Sequence, residues 1–161
     1  MAAETLTAAR ASATFPVAGS GPAQNVKVGW GTYAIAADLE DGDIFEMHWV
    51  PDGATVLGGW TIAGDLDTGT EAIDIDLGWA ANSEDSADPD GFGNLGVWTG
   101  DTSVHLGGAL NYFPHQGVIV TAGPKTYTTG GGATKIQLEA NAAAGTFAAA
   151  QATVVTFYTA P

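Results

Sequence analysis

Apolar side chains recur at every second position through most of this chain, and a period of two marks half-buried β-strands. In 26-VKVGWGTYAIAA-37, Val26, Val28, Trp30 and Thr32 share one parity. In 43-DIFEMHWV-50, Phe45, Met47 and Trp49 fall on one side, and Glu46 and His48 on the other. Pro51-Asp52-Gly53 reads as a turn. The next strand is 54-ATVLGGWTIAG-64, with Gly58-Gly59 a bulge or a close backbone approach. The stretch 72-AIDIDLGWA-80 sends Ile73, Ile75 and Leu77 inward and Asp74 and Asp76 outward.

Shorter strands are expected at 95-LGVWT-99 and 117-GVIVTA-122. In 134-TKIQLEA-140, Ile136 and Leu138 face in while Lys135, Gln137 and Glu139 face out. The last strand falls within 146–160, where TVVTFYT outweighs the preceding alanines. Many short strands, no strong amphipathic helix and no internal repeat predict one all-β domain over residues 26–161, an antiparallel β-sandwich or jelly roll. Residues 1–25 lack any period and are punctuated by Pro16, Gly19, Gly21 and Pro22. They predict an extended N-terminal arm, with a disordered tail as the competing expectation.

Composition narrows the picture. A length of 161 residues suits a single domain with a real core. The 23 glycines, roughly twice the usual share, suit tight turns between strands. With no cysteine, neither a disulfide nor a thiolate metal site holds the fold. The N-terminus has no charged start followed by an apolar segment, so no secretion signal is expected. The formal net charge is -14, opposed only by Arg10, Lys27, Lys125 and Lys135. Phosphate-mediated nucleic-acid binding needs a basic surface, which this chain lacks, and anionic membranes are disfavoured for the same reason. The charge favours solubility and suits a salty medium, where screening weakens self-repulsion.

Candidate chemistry concentrates in 71-EAIDIDLGWAANSEDSADPDGFGN-94, which has no basic residue. Asp74 and Asp76 share a strand face, but paired carboxylates do acid–base work only when burial or a neighbour splits their pKa values. A solvated strand face is the expectation. The loop 82-NSEDSADPDGFGN-94 offers oxygens to a hard cation, yet EF-hand spacing fails: with Gly91 as the loop glycine, Val97 falls where a bidentate Glu is required. A solvated loop is expected there too. His48, His105 and His115 lack zinc-ligand spacing. Glu46 and His48 share a predicted face but read as a surface pair. Ser20 in AGSGP lacks the spacing of a nucleophile elbow. The formal G-x-G-x-x-A match in 29-GWGTYA-34 lacks the helix that would bind phosphate. Trp30, Trp49, Trp60, Trp79 and Trp98 would line a sugar platform if exposed and coplanar, and are otherwise expected in the core. No catalytic residue, metal ligand or cofactor-binding residue is assigned, and no enzyme is expected.

The segment 35–94 resembles small virion structural proteins of tailed phages. The order DIFEMHWVP, GATVLGGW, DTGTEAIDIDLGW and then an acidic loop carries the likeness. Within that group it is similar to head decoration, or cement, proteins. The resemblance implies a chain on the outer capsid surface, often trimeric, that clamps neighbouring subunits of the major capsid protein and is assembled in the host cytoplasm. It implies as partners the major capsid protein and further copies of the chain. A tail or head-fibre component and a carbohydrate-binding module are the competing expectations.

Overall fold

The structure, a computed structural model, describes residues 4–7, 26–70, 72–97 and 110–161. Its strands are β1 (Thr5–Thr7), β2 (Lys27–Ile35), β3 (Ile44–Val50), β4 (Thr55–Gly64), β5 (Asp74–Trp79), β6 (Asp88–Val97), β7 (Leu110–Pro114), β8 (Lys125–Thr126), β9 (Thr134–Ala142) and β10 (Ala150–Thr159); one short helix, α1, covers Val118–Thr121. They form two sheets, ordered β1-β3-β9-β5-β6 and β2-β10-β4-β7, with β8 added to β4. Apart from the β5–β6 hairpin, the long strands alternate between the sheets. Such interleaving of antiparallel strands is the jelly-roll arrangement of a β-sandwich.

The core fills the gap between the sheets. Ile75 and Leu77 of β5 and Ile136 and Leu138 of β9 point into it from the first sheet, and Ala152, Val154 and Tyr158 of β10 from the second; all are buried. At one end, rings pack in sequence: Tyr127 meets Trp79 edge-on at 5.8 Å, Trp79 meets Phe92 tilted at 4.9 Å, and Phe92 stacks on His115 at 5.4 Å. On one side the sheets nearly touch. A Cβ on Gly31 of β2 would collide with the backbone carbonyl of Met47 on β3, and one on Gly29 would crowd His48. These glycines of the formal G-x-G-x-x-A match therefore permit strand-on-strand packing.

Several expectations are corrected. The ladder of β3 against β9 slips between Glu46 and His48. The bulge reverses the side-chain parity: Phe45 and Met47 are buried as expected, but His48 and Val50 then turn inward while Trp49 turns outward. Within 117–122, Val118–Thr121 form α1 rather than a strand, because Gly117 adopts φ 50° and turns the chain out of the extended region. β7 and β8 carry no clear two-residue period. Gly58 sits at a register shift in the β4–β10 ladder with φ 147°, which matches the expected bulge.

Most of the arm expected over residues 1–25 lies outside the described residues. Its Thr5–Thr7 segment is β1, paired in parallel with Ile44–Glu46. The amide of Glu4 donates to Asp43 Oδ1 at 2.7 Å, and Thr7 Oγ1 donates to Glu46 Oε2 at 2.8 Å.

Candidate docking surface

The carboxylates of the acidic stretch are built into the fold more firmly than a solvated surface requires. Asp74 and Asp76 share the outer face of the first sheet, as expected, but Asp76 is buried at 9% exposure. It sits between Glu139 on β9 and Asn94 on β6. Burial pushes its carboxyl above the usual range, the charges of Asp90 and Asp74 push the same way, and hydrogen bonds from Asn141 and Asn94 oppose them. Burial likewise raises Glu139, with Asp76, Asp41 and Asp90 adding repulsion. Asp88 is raised by burial and by its hydrogen bond with Asp90. Among the described residues, no group of three or more histidines or carboxylates is arranged to hold a metal ion.

The expected solvated loop 82–94 is half strand, since β6 begins at Asp88. Gly91 lies under the Trp79 ring, where a Cβ would strike the indole. Asp85 is a tie point: it accepts from the amide of Thr128 at 2.8 Å, from Lys125 Nζ at 3.3 Å and from Asn82 Nδ2 at 3.4 Å. Burial would raise its carboxyl, but these donors bring it below the usual range.

The expected Glu46–His48 surface pair does not form. His48 lies inside, with Nε2 3.0 Å from Thr156 Oγ1, while Glu46 lies outside, 2.6 Å from Lys135 Nζ. His115 is buried, with neither ring nitrogen hydrogen-bonded, and burial foremost, then His48, lowers it to about 3. It is a neutral core residue. His105, Ser20 and Trp98 lie outside the described residues. An apolar hollow of about 220 Å³ opens between β1, the end of β2 and the loop 36–43. That is smaller than the ~300 Å³ at which ligand pockets begin.

The tryptophans also depart from expectation. Of those described, only Trp79 is buried in the core. Trp49 lies outside on the first sheet under Lys135 Nζ, 4.9 Å from its ring. Trp60 packs edge-on against Phe157 at 5.0 Å, and Trp30 is 45% exposed. Trp49 and the pair Trp30 and Trp60 stand on opposite sheets, so these rings do not form one platform.

Trp30 and Trp60 belong instead to a surface that no single motif reveals. Pairing across β2, β10 and β4 aligns Trp30 with Val155 and Trp60 in one row, and Val28 with Phe157 and Gly58 in the next. A third row holds Thr32, Thr153 and Ile62, with the two threonine hydroxyls 2.8 Å apart. Val26, Val28 and Leu57 are 58%, 53% and 38% exposed. Strands β2, β4, β7, β8 and β10 contain no Asp or Glu. The first sheet carries Glu46, Asp74, Asp76, Asp88, Asp90 and Glu139 in its strands. The plate thus has one anionic face and one partly apolar face whose described strands carry no carboxylate, their charged residues being Lys27 and Lys125. The alternation in 26–32 was legible as a parity. Which side it faced was not.

No protein-family model matches the chain, and no curated protein matches it significantly in sequence. Solved structures do match in fold. A chain from the capsid of Ralstonia phage GP4 superposes with a TM-score of 0.71 at 16% identity, over 98% of this chain and 98% of that one. A chain from the capsid asymmetric unit of cyanophage Pam1 gives 0.59 at 24% identity, over 95% and 99%. A chain from the acidic stable capsid of Helicobacter pylori bacteriophage KHP30 gives 0.53 at 14% identity, over 86% and 90%. The sequence-level resemblance to phage virion proteins is thus borne out in the fold. Coverage is nearly complete on both sides, so each neighbour is a whole chain of similar size.

Proposed function

We propose that this chain is a phage capsid decoration protein, which binds the outer surface of the major capsid protein shell and stabilises it. The observation that carries the reading is the end-to-end match in fold to small chains found in phage capsids. The composition supports it. A cysteine-free sandwich folds in a reducing host cytoplasm, and a net charge of -14 keeps decorated particles apart in solution. Three copies around a three-fold position would brace three neighbouring capsomers through equivalent contacts, so a homotrimer on the shell belongs to the proposal. An extended arm over residues 1–25, expected from the sequence, would serve the same role by adding hydrogen bonds across a subunit boundary through strand addition. Trp49 stands apart from Trp30 and Trp60, so the tryptophans do not favour a carbohydrate-binding module.

The test is a comparison of particles assembled with and without the chain. Decorated shells should withstand higher temperature before releasing their DNA, and adding the purified chain back to bare shells should restore that resistance. Equal thermal release from both kinds of shell, or a chain that never sediments with shells, would rule the role out.

A further inference from the structure

The outer face of the second sheet stands apart from the rest of the molecule. The chain carries 18 acidic residues, yet among the described residues none lies in a strand of that sheet. Val26, Val28, Trp30 and Leu57 remain open to water there, beside the partly exposed Val155 and Phe157. A contiguous exposed apolar surface on a soluble protein marks a contact site more often than scattered apolar residues do.

We infer that this face is the footprint by which the chain lies on the shell, against an apolar, uncharged surface of the major capsid protein. The inference rests on the decoration reading above and assigns an orientation to it. Charge sets that orientation. With the second sheet down, the strands that carry the six carboxylates of the first sheet lie on the side away from the shell. The reverse placement would desolvate Asp76 and Glu139, whose carboxyls burial already disfavours as charged groups.

Size argues against a second copy as the occupant. Seven residues, from Val26 to Thr32, span about 23 Å and three strands about 14 Å, so the footprint is roughly 320 Å² in plan. Stable pairs of proteins bury ~800 Å² on each partner. Two copies joined by this face alone fall well short. A shell supplies further contacts to each chain and braces many chains at once.

Val28→Glu and Leu57→Glu place a charge on this face at exposed positions, so both variants should fold with unchanged melting. Binding of each to bare shells would be measured by co-sedimentation, with Glu139→Gln on the opposite face as control. Both should bind roughly tenfold or more weakly, as expected for a charge forced into an apolar contact, while the control binds like wild type. If wild type binds shells and the face variants bind equally well, the footprint is wrong and the decoration role survives. If Val28→Glu instead dissociates a soluble oligomer without affecting shell binding, the face belongs to a second copy and the inference fails. If wild type does not bind shells, the role fails and the footprint with it.

Discussion

Asp67 is the residue whose loss should damage the fold most for the smallest change in shape. It is fully buried at the crossing of two loops far apart in sequence. Its carboxylate accepts from the amides of Ala72 at 2.7 Å, Ile73 at 3.4 Å, Gly145 at 2.8 Å and Thr146 at 2.7 Å. The same crossing is closed by the Asp67–Phe147 bridge and by Ala148 N donating to Leu66 O at 3.0 Å. Burial alone would raise the Asp67 carboxyl. The four amides outweigh it and bring the pKa from 3.8 to about 2. At 1.36 kcal/mol per pKa unit, the ionised form contributes about 2 kcal/mol of stability at neutral pH.

Asp67→Asn keeps one acceptor and turns an N–H donor towards amides that are themselves donors. The expected loss at pH 7 is about 2–4 kcal/mol. For a domain of this size that is roughly 5–15 °C in melting temperature. The pH dependence is the sharper test. Because the folded pKa lies below the unfolded one, the contribution is complete above about pH 5 and disappears as pH falls through 3.8 towards 2. Protonated Asp67 then resembles the amide, so the gap between wild type and variant should close. Urea unfolding of both proteins from pH 7 to pH 2 measures it. A gap below about 0.5 kcal/mol at pH 7, or one that persists unchanged in acid, would refute the reasoning.

Glu139→Gln should behave oppositely: its folded pKa is raised, so the charge opposes folding at neutral pH, and the variant should melt higher than wild type at pH 7, with the gain fading as wild type is protonated in acid. Asp85→Asn should cost about 1–2 kcal/mol in thermal unfolding, because it weakens the tie from the loop at 82–86 to Lys125 and Thr128. Gly31→Ala should cost roughly 2 kcal/mol or more, as β2 must move off the Met47 carbonyl; melting that matches wild type would show that the sheets are not in that contact. Removing residues 2–20 deletes the three-residue strand β1 from a sheet edge and should leave a cooperatively folding domain, but one incorporated into particles less efficiently.

Where local period and one-sided burial coincide, the sequence was readable. Ile73, Ile75 and Leu77, and Ile136 and Leu138, alternate over central strands, and their inward faces follow directly. The turn at Asp52-Gly53 and the bulge at Gly58 were legible because glycine supplies positive φ that other residues resist. The parity of β3 was not, because one bulge between Glu46 and His48 exchanges the faces of everything after it. Residues 117–122 read as a strand from valine and isoleucine, yet local propensity yields to the turn at Gly117. β6 was obscured by Pro89, which an edge strand tolerates. The ties made by Asp67 and Asp85 join positions 79 and 43 residues apart, separations that no local pattern encodes. The partly apolar face was hidden for the same reason: its rows exist only once β2, β10 and β4 are side by side.

The most direct measurement is a cryo-electron microscopy reconstruction of the virion that carries this chain. Density for the sandwich should lie on the outside of the head, three copies around each occupied three-fold position. The β2-β10-β4 face should point down onto the shell, and the strand carboxylates of β3, β5, β6 and β9 should point to solvent. Density only at the tail, single copies scattered on the head, or the acidic sheet turned towards the shell would contradict it.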